Sequence, residues 1–309
     1  MGPTTPERDA MARGGTLDRI GWTRGQGCGE LAELLSPLEA IRIEGDIRTV
    51  AIEERLDAVV SRRLTGFDLV PGLAPQDFDP ASIEHVTAAV GDGPHSPFAV
   101  EVAARLASVL DVPAEALSVF RSRDDRGRVD ERLERLVADI PTMSGRSLFG
   151  QTAVRLVESL PPTSLLVVGA PGGSWFQRQI YGPGHRLTVA APAGVVMVRS
   201  APRRCFHVAD DARTSVVGSQ MSVADARQVA GVPVLAVADG GVLVGIVRTS
   251  GLRDATPGAV MEDVMEPPVS VGLEESVEAV DEVAEFFEGG PVPVVDGSGR
   301  IIGVARPEG

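Results

Sequence analysis

The chain has 309 residues, of which 43% are hydrophobic, and its formal net charge is −14 at pH 7. This length is sufficient for two or three globular domains with well-buried cores. The strong negative charge argues against a nucleic-acid partner, since binding to a phosphate backbone requires clustered cations.

Other classes of function are disfavoured by residues that are missing or isolated. No stretch approaches the ~18–20 consecutive apolar residues of a membrane span, and the first ~30 residues lack a secretory pattern, so we expect a cytoplasmic protein. The sequence contains no lysine, which excludes a Schiff base or a P-loop NTPase. Cys28 and Cys205 have no CxxC spacing and the histidines show no ligand spacing, so we expect neither a disulfide framework nor a metal site.

The N-terminal region divides into a tail and an extension. Residues 1–15 are rich in Gly, Pro and charged residues without periodicity, which predicts a mobile tail. Residues 16–80 predict two helices and two short strands, the helices over 28–40 and 50–64 and the strands at IRIEG (41–45) and FDLV (67–70). This extension is either a partial copy of the α/β domain that follows or a helical layer that packs on it.

Residues 81–200 alternate between strand and helix patterns. The run HVTAAV precedes a turn of Gly91, Asp92 and Gly93, and an amphipathic helix follows with Ala99 and Ala103 on its apolar face. A strand at 116–120, a second helix, a weak strand near 141–144 and a third helix complete the series. Such alternation predicts an α/β fold with a doubly wound parallel sheet.

The strongest chemical signal is a glycine-rich loop between two apolar strands. Gly169, Gly172 and Gly182 are spaced G-x2-G-x9-G, and Pro183 and Gly184 follow at a predicted helix start. Backbone N–H groups in such a loop can approach a phosphate without obstruction by Cβ atoms, which predicts an anion site. The alternative is that the glycines only shape a tight connection.

This loop resembles the ATP-binding loop of the universal stress protein family, in which Ser or Thr stands at the position of Pro183. The resemblance implies that the loop binds ATP or another adenine nucleotide. It also implies that Gly91 or Asp92 stands at the family's aspartate position near adenine and ribose. The site implied in this way consists of Gly91, Asp92, Gly93, Val119, Gly169, Gly172, Gly182, Pro183 and Gly184.

Beyond residue 200 the sequence contains an internal repeat. Residues 223–247 and 277–305 each predict a helix, a V-P-V strand, an Asp-Gly turn and a second strand. The repeat resembles a cystathionine-β-synthase (CBS) domain pair, an α+β module that covers 201–309 with one unit in 201–255 and the other in 256–309. In many relatives of that family the clefts of the pair bind adenine nucleotides.

The family's ligand pattern in these clefts, G-h-h-[ST]-x-x-D, is incomplete here. Gly251 and Gly309 stand at the two aspartate positions, and Arg248 and Arg306 stand at the hydroxyl positions. We therefore expect weak or absent AMP and ATP binding by the pair. The arginines either contact an anion or are solvated surface charges.

The sequence also suggests how the chain assembles. Strand Gly194–Val198 is short, apolar and last in its predicted sheet, and an uncovered edge invites pairing. The resemblance to universal stress proteins implies dimerisation through this strand, so we expect a homodimer.

The whole sequence predicts a non-enzymatic protein that senses adenine nucleotide or stress and signals to an unidentified protein partner by conformational change. Two alternatives remain. The first is a slow ATPase at the glycine loop, which lacks an obvious general base. The second is an interaction module in which both kinds of ligand site have decayed.

Overall fold

The structure, a computed structural model, describes residues 17–64, 68–150, 156, 158–170, 193–210 and 215–307. The chain divides into two compact units, Met1–Ala201 and Pro202–Gly309.

The described strands of the first unit are β1 (Arg19–Trp22), β2 (Glu39–Arg42), β3 (Ala58–Val60), β4 (Gly72–Gln76), β5 (His85–Ala89), β6 (Ala114–Phe120), β7 (Met143–Phe149), β8 (Ser164–Gly169) and β9 (Val195–Arg199). Its described helices are α1 (Cys28–Leu35), α2 (Ile47–Glu53), α3 (Ser96–Leu110) and α4 (Arg126–Val137). Short 3₁₀ turns precede β5 and α4.

All nine strands form one sheet in the order β2-β1-β3-β4-β9-β8-β5-β6-β7. Neighbouring strands are parallel except β4 and β9, which are antiparallel, with Gly72 opposite Arg199 and Gln76 opposite Val195. The sheet therefore consists of two parallel halves that run in opposite directions and meet at this seam. Strands β8 and β9 are almost entirely buried, as expected for parallel strands covered on both faces.

The expectation that strand Gly194–Val198 is an exposed edge is wrong. The strand lies in the interior of the sheet as β9, with β4 on one side and β8 on the other. Leu73 of β4 and Val196 and Met197 of β9 have no exposed surface. Because the chain covers this edge itself, β9 offers no pairing surface to a second copy, and this route to a homodimer is removed.

The predicted elements of the N-terminal extension are only partly correct. The helix predicted over 28–40 ends at Leu35, and the one predicted over 50–64 is observed as α2 at 47–53. The run Ala58–Val60 is a buried strand instead of a helix, and β1 was not predicted. Residues 68–70 of FDLV are irregular, and the strand follows as GLAPQ, in which Gly and Pro conceal the strand pattern.

Helix α3 and the strands around it match the sequence pattern closely. Its apolar positions recur every third or fourth residue and have no exposed surface, at Ala99, Val102, Ala103 and Leu106. They pack with α1 on one face of the sheet. The other face carries a smaller cluster that includes Leu117, Leu166 and Met197.

The described helices of the second unit are α5 (Cys205–Val208), α6 (Val223–Val229), α7 (Thr249–Leu252), α8 (Met261–Val264) and α9 (Glu278–Ala284). Its described strands are β10 (Val216–Gly218), β11 (Val234–Asp239), β12 (Val242–Arg248), β13 (Val271–Gly272), β14 (Val292–Val295) and β15 (Ile301–Ala305). They form two three-stranded sheets, β10-β11-β12 and β13-β14-β15, each with one parallel and one antiparallel pair. The internal repeat predicted from sequence is thereby observed as two copies of one arrangement.

Candidate functional site

The strand order of the first unit reverses direction between β5 and β8. From β5 the chain moves outward through β6 and β7, and it then returns to β8 and β9 on the other side. The two central strands are paired in register, with Ala89 beside Val168, so their carboxyl ends lie at the same edge. Ligands of doubly wound sheets bind at such a switch point. The structure thus brings the Gly91–Gly93 turn and Gly169 together.

The turn after β5 leads directly into the 15-residue helix α3. The Gly91 N–H donates to Ser96 Oγ at 3.0 Å, and the Ser96 hydroxyl donates to the Gly91 carbonyl at 3.0 Å. No side chain caps α3 at its N-terminus. Gly91 and Gly93 are exposed, and a Cβ atom on either would have no heavy atom of the described residues within 4 Å. The turn therefore borders open space beside a helix N-terminus, which favours anions.

Gly169 allows the end of β8 to approach the start of α3. A Cβ atom at Gly169 would lie 3.0 Å from His95 Cβ. His95 in turn contacts the residue after β9, since its Nδ1 lies 2.8 Å from Ser200 Oγ and accepts the Ser200 N–H at 3.2 Å. The ends of β5, β8 and β9 are thereby held together.

The imidazole of His95 is neutral in this position. Burial, reinforced by the positive charge of Arg199, lowers the pKa of His95 below its ordinary value. Because the Ser200 amide can only donate, Nδ1 is the acceptor and the ring proton is on Nε2. Nδ1 is therefore occupied and cannot act as a general base without losing this contact.

The carboxylate of Asp92 is bound by an arginine of the neighbouring helix. Asp92 Oδ1 forms an ion pair with Nη2 of Arg132 in α4. Burial is the main reason that the pKa of Arg132 lies below its ordinary value, and the nearby Arg135 adds to the shift. Asp92 contacts a ligand only if it shares its two oxygens between Arg132 and that ligand. Val119, in β6, is half-buried against the smaller apolar cluster.

The remaining predicted site residues lie outside the described part of the chain, namely Gly172, Gly182, Pro183 and Gly184. Three residues that the sequence analysis did not single out do contribute at the switch point: His95, Ser200 and Arg132. Their partners are 40 to 105 positions away along the chain, so no local spacing could have indicated them.

In the second unit, the segment that precedes each repeat pairs with the last strand of the other repeat, so the two repeats exchange these leading segments. Asp210, which precedes the first repeat, forms two backbone hydrogen bonds with Val304 of β15, at 2.8 and 2.9 Å. Glu266, which precedes the second repeat, forms the same pair with Ile246 of β12, at 2.8 and 3.1 Å. This reciprocal pairing is what a pseudo-twofold axis between the repeats produces.

The first glycine of each incomplete ligand pattern has a packing role. A Cβ atom at Gly245 would lie 2.7 Å from the Glu266 carbonyl oxygen. A Cβ atom at Gly303 would overlap the carbonyl oxygen of Asp210 in the same way. Both glycines are therefore needed where the exchanged segment crosses the last strand.

Arg248 is engaged by Glu266, in the segment before the second repeat, and by Glu288 of that repeat. Its Nε lies 3.2 Å from Glu266 Oε1, and its Nη1 lies 3.5 Å from Glu288 Oε1. An anion would have to compete with two carboxylates for this guanidinium. Arg306, at the matching position of the second repeat, is exposed.

Among the described residues, no group of three or more His, Cys, Asp or Glu side chains could hold a metal ion. The helices of the described segments include none that is both long and apolar enough to cross a membrane.

No protein-family model and no curated protein matches this chain. Solved structures do match over about a third of it. The cytosolic domain of the Mg²⁺ channel MgtE in complex with ATP is 22% identical over 34% of this chain and 46% of its own, with a TM-score of 0.29. The present chain thus spans less than half of that structure.

Two further matches are CBS domain pairs. CBSX2 from Arabidopsis thaliana, in complex with AMP, is 26% identical over 34% of this chain and 90% of its own, with a TM-score of 0.28. The CBS pair of protein MJ0100, in complex with 5′-methylthioadenosine and S-adenosyl-L-methionine, is 21% identical over 35% of this chain and 91% of its own, with a TM-score of 0.29.

Proposed function

We propose that this chain is a non-catalytic regulatory protein of the stress response that binds an adenine nucleotide at the switch point between β5 and β8. The observation that carries the proposal is the geometry of that edge. Among the described residues, the exposed Gly91–Gly93 turn and the uncapped start of α3 border open space at the carboxyl ends of two central parallel strands, and Gly169 lets the second of these strands approach the helix.

The topology of the first unit supports a universal-stress-protein-like fold with a partial second copy. The first half has the strand order β2-β1-β3-β4. This order corresponds, strand by strand, to β6-β5-β8-β9 in the second half, which has β7 as an additional edge strand. The extension thus contains counterparts of the first, second, fourth and fifth strands of the complete half.

The same site gives little support to the slow ATPase. The histidine at the switch point has its Nδ1 occupied by Ser200, and Asp92 is paired with Arg132. Neither group is free to accept a proton from an attacking water. Binding followed by a change in shape is therefore the function that these contacts favour.

The second unit is proposed to be a CBS-type pair that transmits the signal to a protein partner. The exchanged segments at Asp210 and Glu266 support this reading, because they couple each repeat to the last strand of the other. A shift in one repeat would then displace its neighbour.

Calorimetry with ATP and the full chain tests the proposed site. We expect a dissociation constant of roughly tens of micromolar, because Pro183 removes about one hydrogen bond relative to the intact family loop. Gly93→Val should weaken binding at least about tenfold by filling the space beside α3, while the fold is retained because no atom lies within 4 Å of that Cβ position.

The matched control is Gly127→Val in α4, where a Cβ atom also has open space. This variant should bind ATP like the wild type. If wild-type protein binds no ATP, the interaction-module alternative is supported instead. Release of phosphate at saturating ATP would support the ATPase.

We expect Gly251→Asp to raise the affinity of the second unit for AMP by about tenfold or more. The new carboxylate would restore a charge-assisted hydrogen bond to ribose, worth about 1.5–3 kcal/mol. Open space around Gly251 accommodates the side chain. Calorimetry with AMP on the full chain measures the change, and Gly258→Asp adds the same charge at another open position. Equal affinities for the two variants would contradict the assignment.

A further inference from the structure

The first half of the sheet has a switch point of its own, between β1 and β3. From β1 the chain passes through α1 to β2 on one side, and from β3 it passes to β4 on the other. The Thr23 N–H donates to the Val60 carbonyl at 2.9 Å, so the carboxyl ends of both strands are joined. The segments that follow these strands are 23–27 and, as far as the described part of the second connection extends, 61–64.

Three arginines are concentrated on these two loops. Arg24, Arg62 and Arg63 are all exposed, and none has an acidic partner among the residues that the structure describes. Some exposed arginines elsewhere in the first unit form ion pairs, as Arg19 does with Glu54 and Arg126 with Asp130. Three exposed arginines thus follow the carboxyl ends of two neighbouring strands, in a chain of net charge −14.

The side chain of Arg62 is held against the first loop. A Cβ atom at Gly25 would lie 2.5 Å from Arg62 Cγ and 2.9 Å from its Cδ, so the aliphatic stem packs directly on the glycine. The charge of Arg62 reaches the start of α1, where it opposes the rise that burial causes in the pKa of the Cys28 thiol. Its guanidinium is therefore close to the first turn of the helix.

The surroundings leave this charge largely uncompensated. No side chain caps α1, whose N-cap Gly27 has a φ of 72°. Acidic groups at this edge include Glu30, in the first turn of α1, Asp77, just after β4, and Glu44, after β2. Glu44 pairs with Arg42, and none of the three forms an ion pair with Arg24, Arg62 or Arg63 among the described residues. Arginine binds phosphate oxygens through paired N–H groups and remains charged at all physiological pH values.

We propose that the loops 23–27 and 61–64 form an anion site for a phosphate-bearing ligand with at least two negative charges. Arg62 and Arg63 supply the guanidinium groups from one loop, and Arg24 supplies a third from the other. Because the halves of the sheet are antiparallel, this site lies at the edge opposite the β5–β8 switch point. It is independent of the nucleotide site proposed above.

Inorganic pyrophosphate is the appropriate probe, since it carries the charge without a base. Calorimetry on the full chain should show one pyrophosphate site in the wild type. The double variant Arg62→Gln/Arg63→Gln should weaken binding at least about tenfold, as expected from the loss of charge-assisted hydrogen bonds. The control Arg126→Gln/Arg128→Gln also removes two positive charges, but from α4, and should leave the affinity for pyrophosphate unchanged.

Three results would overturn the proposal. The first is that wild-type protein shows no binding at millimolar pyrophosphate. The second is that the Arg62/Arg63 variant retains wild-type affinity, which would place the anion elsewhere, including the β5–β8 edge. The third is an equal loss in both double variants, which would indicate general charge attraction. Circular dichroism of each variant verifies that the fold is retained.

Discussion

Gly303→Ala is expected to destabilise the second unit by about 3 kcal/mol. The added methyl group would overlap the carbonyl oxygen of Asp210 and lie 3.1 Å from Ala209 Cβ. A backbone carbonyl cannot rotate away as a side chain can, so the exchanged segment must move and its hydrogen bonds to Val304 must lengthen. Overpacking of this kind costs about 1–3 kcal/mol, and a backbone contact belongs at the upper end of that range.

Gly297→Ala is the matched control, because a Cβ atom there has no neighbour within 4 Å. The second unit contains neither Trp nor Tyr, so its unfolding is followed by calorimetry or far-ultraviolet circular dichroism. Tryptophan fluorescence, which arises from the first unit, should show the same transition in both variants. Equal stabilities of the two variants would mean that Asp210 does not cross Gly303 in solution.

Glu101→Gln is expected to stabilise the first unit by about 2–3 kcal/mol at pH 8 and to have almost no effect near pH 4.5. Burial raises the pKa of Glu101 in α3 from 4.5 to about 7, although the charge of Arg105 partly opposes the shift. Between these values the unfolded chain releases the proton while the folded chain retains it. Stability therefore falls as pH rises through this interval and is constant above it.

Urea unfolding followed by tryptophan fluorescence, at several pH values between 4.5 and 8, measures this dependence. Glutamine resembles the protonated acid and does not titrate, so the variant should lack the decline. Glu134→Gln removes an exposed carboxylate from α4 and should leave the decline in place. Parallel pH profiles for wild type and Glu101→Gln would show that another group is responsible.

Some elements could be predicted because their patterns are local. The apolar positions of α3, the buried run of β8 and the two copies of helix, strand, turn and strand in the second unit all depend on residues close together in sequence. The internal repeat also indicated a paired module. That positions 245 and 303 require glycine could be seen only in the structure, where the exchanged segments cross them.

The extension shows where the sequence patterns are misleading. Strand β4 reads as GLAPQ, with both residues that normally interrupt a strand, yet it forms the seam with β9. Its identity as a strand depends on the neighbour that it pairs with. Pairing with β4 also places β9, which was predicted to be an edge strand, in the interior of the sheet. The homodimer that was inferred from an exposed β9 therefore loses its pairing surface.

The sequence by itself determined the alternation of strand and helix, the Gly91–Gly93 turn and the repeat of the second unit, because periodicity and turn chemistry act over a few residues. The tertiary structure alone decided that Asp92 pairs with Arg132, that His95 binds Ser200 and that the aliphatic stem of Arg62 packs on Gly25. These contacts join residues 37 to 105 positions apart. Only the order in which strands pair brings such residues together, and a one-dimensional pattern does not specify that order.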